Sequence, residues 1–289
     1  MPPNPSTFTA LNVPSGYTLP ESMEYFSLAA RPDTDLWRKP PDRETSTAPI
    51  LYTSLQRPFV LAEVTVTADW EMEWDQGGLV IFSGPPPGPR LIQPNNGNEL
   101  VPTTIINLDN NSNNPVDTQE QQQPQPQPPP YPDFNLGQGK WVKAGLEFSA
   151  GTVNASSVSA TSDGADWCLS PLAPPNQPTS ITSLRIKLER IGHSLWVWYQ
   201  IPPSSFSTEQ ESSRSPGSAA QSWRKLREVT WFFWGVEDKS VHVGVYACRP
   251  ANISISNTMW AARNGGQYFH DNSPSPNSLV VEFEDLEIF

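Results

Sequence analysis

The chain is poor in cysteine. Cys168 and Cys248 are its only two, far apart and without CxxC spacing. That excludes a disulfide framework or a thiolate metal knuckle. It predicts two reduced, buried thiols in preference to one bridge. Basic charge is also scarce. Lys and Arg number 18 against 30 Asp and Glu, for a formal net charge of −12 over 289 residues. Phosphate binding wants a basic stripe and none is present, so no nucleic acid and no membrane surface is expected as a partner. The acidity favours solubility. No apolar run approaches the roughly 18–20 residues of a membrane span. The start, Met-Pro-Pro-Asn-Pro, has neither a basic n-region nor an apolar h-region, so a cytoplasmic protein without a signal peptide is expected.

Histidine is nearly absent as well. Of the three, His193 falls in a turn and His270 in a polar loop, which argues against a His-rich metal cluster. No EF-hand spacing, P-loop, G-x-G-x-x-G after a strand or G-x-S-x-G elbow occurs. The expectation is no metal and no cofactor. Any catalysis would rest on carboxylates, Lys, Tyr or His242.

Proline and tryptophan are plentiful, at 33 and 11 residues. Helix interiors tolerate proline badly, so these prolines belong to loops between strands. Apolar alternation marks strands over 59–72, 78–82, 181–191, 195–201, 241–247 and 279–289, with Gly192-His193-Ser194 as a hairpin connection. Residues 84–117 are rich in Pro and Asn, 118–132 are nearly all Gln and Pro, and 203–221 are rich in Ser. These read as insertions on one domain spanning 1–289, flexible over 112–134 and 203–221. The Gln/Pro stretch is the only hint of a protein partner.

The run Trp141-Val142-Lys143-Ala144-Gly145-Leu146-Glu147-Phe148 carries the chemistry. Strand side chains alternate between faces. Val142, Ala144, Leu146 and Phe148 form an ordinary core face. Trp141, Lys143, Gly145 and Glu147 form an equipped polar one. The same alternation adds Tyr246 and His242 from 241–248 and the pair Trp196 and Trp198 from 195–201. Asp75 and Gln76 precede Gly77-Gly78, and Asp166-Trp167 follows a turn. Aromatic plates, carboxylates, an amide and a cation on one face suit a polar ligand. The structural alternative makes Lys143 and Glu147 ion partners on a solvated face. Lying roughly 13 Å apart along a strand, they need partners other than each other. For Asp75-Gln76 the alternative is a register-fixing turn. For Asp35 with Trp37 it is an anchor for the first strand.

Five runs together resemble a known family: Thr34-Asp35-Leu36-Trp37, Asp75-Gln76-Gly77-Gly78-Leu79, Trp141 to Glu147, Ala165-Asp166-Trp167-Cys168, and Val243 to Pro250. In this order they resemble the DUF1349 family, of the "regulation of enolase protein 1" type. The resemblance implies an all-β fold, a concanavalin A-like jelly-roll sandwich of two antiparallel sheets, one concave, with long loop insertions. It also implies a fungal-type member. Cys168 and Arg249 depart from the family's small polar residues. The Arg would add an anion-binding fork to the cleft.

The expected ligand-binding set is Trp141, Lys143, Glu147, Gln76, Trp167, Trp198, Tyr246 and Arg249. The expected function is binding of a carbohydrate or metabolite in the concave cleft, with a regulatory role. The alternative is a cofactor-independent cyclase, isomerase or lyase, with Lys143, Glu147, Glu73, Asp75 and His242 as candidate catalytic groups. A glycosidase is a further variant, because Glu71-Met72-Glu73-Trp74-Asp75 on a strand would set alternate carboxylates about 6–7 Å apart.

Overall fold

A computed structural model describes residues 2–40, 43–87, 139–172, 181–202, 222–236, 240–251 and 277–289. By contact the chain divides into Met1–Gly88 with Gly137–Phe289, and a separate unit Pro89–Leu136. That second unit and the insertions expected at 112–134 and 203–221 lie outside the described residues.

The described residues are β throughout, apart from one short 3-10 turn at Pro5–Thr7. In chain order the strands are β1 (Phe8–Leu11), β2 (Tyr25–Ala30), β3 (Leu36–Lys39), β4 (Arg43–Ser46), β5 (Ile50–Ser54), β6 (Leu61–Thr67), β7 (Gln76–Ser83) and β8 (Lys140–Ser149). They continue with β9 (Thr152–Thr161), β10 (Gly164–Pro171), β11 (Ser183–Ile191), β12 (Ser194–Gln200), β13 (Arg224–Val229), β14 (Val241–Cys248) and β15 (Leu279–Ile288). Seven strands form one antiparallel sheet in the order β1-β5-β14-β7-β8-β9-β10. Six form the other, β13-β12-β11-β6-β15-β2, and β3 pairs with β4 alone. This is a jelly-roll-like β-sandwich.

The alternation of the strands produces two apolar layers. Val142, Ala144 and Leu146 of β8 join Val64 and Val66 of β6, Ile186 and Leu188 of β11, and Val197 of β12 between the sheets. A second cluster covers the opposite face of the seven-stranded sheet: Val80, Phe82, Trp141, Val158, Ala160, Tyr246 and Cys248, with Leu36 of β3 packed into it. With apolar side chains on both faces, β7 is buried along its whole length, as expected of a central strand covered on both sides. The cover on the outer side is the β3–β4 hairpin. Arg38 bridges Glu44 and the carbonyls of Gly139 and Thr161 at 2.6–3.1 Å. Trp141 Nε1 donates to Glu44 Oε1 at 3.0 Å.

One expected strand is shorter than the sequence implies. β6 ends at Thr67, and residues 68–75 form an irregular turn. Trp70 Nε1 donates to the Thr182 carbonyl, and the Glu71 and Met72 amides donate to Asp75 Oδ2. These bonds bend the chain where alternation would have carried it straight on. Glu71, Glu73 and Asp75 therefore lie on a turn, without the even spacing of a strand, and the glycosidase arrangement does not form.

Candidate functional site

The site is built by cross-strand register on the outer face of the seven-stranded sheet. Gln76 sits opposite Glu147, Gly78 opposite Gly145, and Val80 opposite Lys143. On the next strand Gly145 faces Ser156 and Lys143 faces Val158, and Trp167 of β10 then faces Val158. Tyr246 of β14 faces Gly78. The two glycines keep the centre of this face bare. A Cβ on Gly145 would fall on the Gly77 carbonyl, and one on Gly78 on the Ala144 carbonyl, so neither position admits a side chain.

Glu147 is fully buried. Its Oε2 accepts from Ser156 Oγ at 2.6 Å and from Trp167 Nε1 at 3.1 Å. Its Oε1 is buried and has no partner. Burial pushes the carboxyl above its ordinary value. Bonds from Ser156 and Trp167 and the Lys143 charge oppose that shift without cancelling it. A proton on this group belongs on Oε1, because Oε2 already accepts twice.

Lys143 is buried too, and its Nζ lies 3.1 Å from Asp35 Oδ1 and 5.5 Å from the Tyr246 ring centre. Burial opposes the ammonium, but the neighbouring Cys248, Asp35 and Glu147 groups together outweigh it and hold Lys143 above its usual value. Burial also pushes the Cys248 thiol up to about 12, so at neutral pH Asp35 is the operative counter-charge. The Tyr246 phenol is held well above its ordinary value, first by burial. It stays neutral and is not an acid or base at neutral pH. Asp35 is fixed in turn by the Leu36 amide at 2.7 Å. Lys143 and Glu147 each find a partner elsewhere, as their strand spacing requires.

Beside these groups opens a cavity of about 350 Å³. Glu147, Gln76 and Asp35 supply its polar wall. Trp37, Trp74 and Trp167 supply indoles, with Val158, Pro250 and Lys39 completing the lining. Trp74 and Trp167 are 46% and 42% exposed and stand at the opening. Trp74 adopts a φ of +67°, a conformation that costs a non-glycine residue free energy and is found preferentially at binding sites. Besides Glu147 Oε1, two more polar atoms of this lining are buried without a partner: Gln76 Oε1 and Trp37 Nε1. Unpaired buried donors and acceptors cost about 1–3 kcal/mol each, so each calls for a partner from a ligand or water.

The expected residues divide into groups. Gln76, Glu147 and Trp167 line the cavity, and Lys143 lies behind it through Asp35. Trp141 and Tyr246 share the face but are covered by the second apolar cluster. Trp198 belongs to the other sheet, stacked on Trp196 at 5.5 Å with Lys187 beside it, while Leu195, Val197 and Tyr199 turn into the core. Arg249 does not offer its fork to a ligand. Its Nε and Nη2 bind both carboxylate oxygens of Asp75 at 2.8 and 2.7 Å, and both side chains are buried. Glu73 accepts from Ser149 Oγ and the Ala150 amide and so ties down a turn. His242 stands opposite Phe82, well along β14, hydrogen bonded to Ser54 and Ser240, and burial lowers its pKa. Both cysteines are free; Cys248 is buried and Cys168 half-buried. No cluster of three or more metal-ligating side chains occurs among the described residues. No described helix is long and apolar enough to cross a membrane.

Six cavity residues were not among those expected: Asp35, Trp37, Lys39, Trp74, Val158 and Pro250. Asp35 and Trp37 looked like an anchor for the first strand. In the fold Trp37 lies on the third strand, β3, and the Asp35 carbonyl accepts from the Thr47 and Ala48 amides just past β4, so they belong to the β3–β4 hairpin, and both also line the cavity. Trp74 gave no signal, because its exposure depends on a backbone conformation that alternation cannot show.

Comparison with known proteins finds a family, a fungal relative and structural neighbours. The model of the family described as "Protein of unknown function (DUF1349)" matches residues 11–288. An uncharacterized protein of Emericella nidulans is 30% identical over 242 residues, 83% of each chain. The crystal structure of a functionally unknown protein from Saccharomyces cerevisiae matches with a TM-score of 0.52 at 16% identity, over 99% of this chain and 98% of that one. A GH43 protein from Bacillus licheniformis matches at 10% identity and a TM-score of 0.45, over 92% of this chain and 32% of its own length. Together the sandwich, the order of its motifs and a match across nearly its whole length make this chain a member of the DUF1349 family.

Proposed function

We propose that the protein binds a small polyhydroxylated, sugar-type ligand in the indole-lined cavity. The observation that carries this reading is the set of unpartnered buried atoms in the lining, Glu147 Oε1, Gln76 Oε1 and Trp37 Nε1. They mix acceptors with a donor, and a hydroxyl group serves both. The indoles of Trp37, Trp74 and Trp167 offer flat apolar faces for a ring. The net charge of −12 disfavours an anionic ligand.

The test is a titration of the tryptophan fluorescence with a panel of neutral mono- and disaccharides. The expected result is saturable binding that weakens about tenfold or more in Glu147→Ala and in Trp74→Ala. Binding that is indifferent to both substitutions, or no binding across the panel, overturns the reading.

A catalytic variant rests on Glu147 alone. With its carboxyl raised by burial, Glu147 would hold a proton toward the bound ligand and act as a general acid without a cofactor. Conversion of a bound sugar, followed by NMR and abolished in Glu147→Gln, is the expected sign; an unchanged sugar spectrum after prolonged incubation leaves binding alone.

A further inference from the structure

A second cavity, of about 710 Å³, adjoins the first and shares Trp37 and Lys39 with it. Its floor is the continuation of the same edge strand. Trp167 lines the first cavity and Ala165 the second. They are two residues apart on β10, so their side chains point the same way about 7 Å apart. Where Trp167 carries an indole, Ala165 carries only a methyl group, while Gly164 lies close under the Pro40 ring. The far wall is Trp231, and Thr161 and Asp163 add hydrogen-bonding groups.

The charged groups around this second space are largely committed. Arg38 is bound to Glu44 and to two carbonyls. Asp166 is paired with Arg227, which also reaches Ser159 Oγ. What remains is indole surface, small residues, the Thr161 hydroxyl and the charged Lys39 and Asp163, so indoles beside polar groups line both cavities. The Trp37 ring lies on the boundary, with its Nε1 buried and unpartnered.

Given the sugar-type reading of the first cavity, we infer that the two cavities are consecutive subsites of one cleft and that the ligand is a neutral oligosaccharide. One unit rests among Trp74, Trp167 and Glu147, and the chain continues over Ala165 toward Trp231. Selectivity for length then lies in Ala165, because a bulky side chain there closes the second subsite and leaves the first intact.

The experiment measures affinity against neutral gluco-, xylo-, manno- and galacto-oligosaccharides of one to six units by calorimetry. It uses the full chain and its Ala165→Trp and Ala165→Leu variants, each checked for an unchanged melting curve. In the wild type, affinity is expected to rise about tenfold between one unit and three, the gain of one further aromatic contact. In Ala165→Trp the longer sugars fall back to the monosaccharide affinity, with Ala165→Leu between, and monosaccharide binding unchanged. The wild-type length dependence needs no variant, so a misfolded Ala165→Trp does not rescue the inference. Equal affinity for all lengths, or a gain with length that Ala165→Leu leaves intact, overturns the two-subsite inference while leaving the single-site reading standing. Failure of every sugar overturns both.

Discussion

Removing the Arg249 side chain should destabilise the protein. Arg249 and Asp75 are 4% and 0% exposed and form a two-point ion pair at 2.8 and 2.7 Å. Asp75 also accepts from the Glu71 and Met72 amides, so the turn that presents Trp74 hangs on this carboxylate. In Arg249→Met the carboxylate stays buried and keeps only its amide donors. Breaking such a pair from one side costs about 3–5 kcal/mol. Asp75→Asn should cost a similar amount, because it leaves the guanidinium buried without its counter-charge. The double variant Asp75→Asn/Arg249→Met buries no net charge. It should return to within about 1–2 kcal/mol of the wild type, because replacing both partners of a buried pair is often nearly neutral. Urea unfolding of the four proteins at pH 7 measures this, provided the slope is unchanged across the set. A loss below about 1 kcal/mol in Arg249→Met, typical of exposed pairs, would refute the reasoning. So would additive losses in the double variant.

Further predictions concern the buried groups of the site. Because the Glu147 carboxyl is raised by burial, the folded state holds a proton there that the unfolded chain has released. Stability should therefore fall as pH rises from the ordinary carboxylate range through the raised Glu147 value, and Glu147→Gln should flatten that slope in denaturant midpoints measured across the window. Asp35 and Lys143 should be unequal partners. Asp35→Ala strands an ammonium that is 1% exposed and should cost about 3–5 kcal/mol, whereas Lys143→Met leaves a carboxylate that is 24% exposed and should cost about 1 kcal/mol or less. Equal losses in thermal or urea melts would contradict that ranking. An aromatic disulfide reagent should titrate Cys168 in the native protein and Cys248 only after unfolding, because the Cys248 thiol is buried and raised to about 12.

The strand faces were legible and their neighbours were not. Alternation in 141–148 correctly divides Val142, Ala144 and Leu146 from Trp141, Lys143 and Glu147. It says nothing of the β3–β4 hairpin that covers Trp141 and Tyr246, because a contact such as Trp141 to Glu44 joins residues 97 positions apart. Trp198 shows the same limit. Its strand turns Leu195, Val197 and Tyr199 inward, as expected, but periodicity does not say to which sheet a strand belongs. The overlong strand at 59–72 has a different cause. Ala68, Trp70 and Met72 continue the apolar alternation, while side-chain bonds from Trp70 and Asp75 turn the backbone away. Asp75 and Arg249 were each visible as equipped residues. Only the fold shows that each satisfies the other and so neither is free for a ligand.

The central claim is that the cavity between Glu147, Gln76 and the indoles of Trp37, Trp74 and Trp167 is a sugar-type site. The most direct measurement is a crystal structure of the protein soaked with the tightest sugar from the panel. The account predicts a ring stacked on one of these indoles, with hydroxyl oxygens within about 3 Å of Glu147 Oε1 and Gln76 Oε1. Sugar density elsewhere on the molecule, with only water in this cavity, would contradict it.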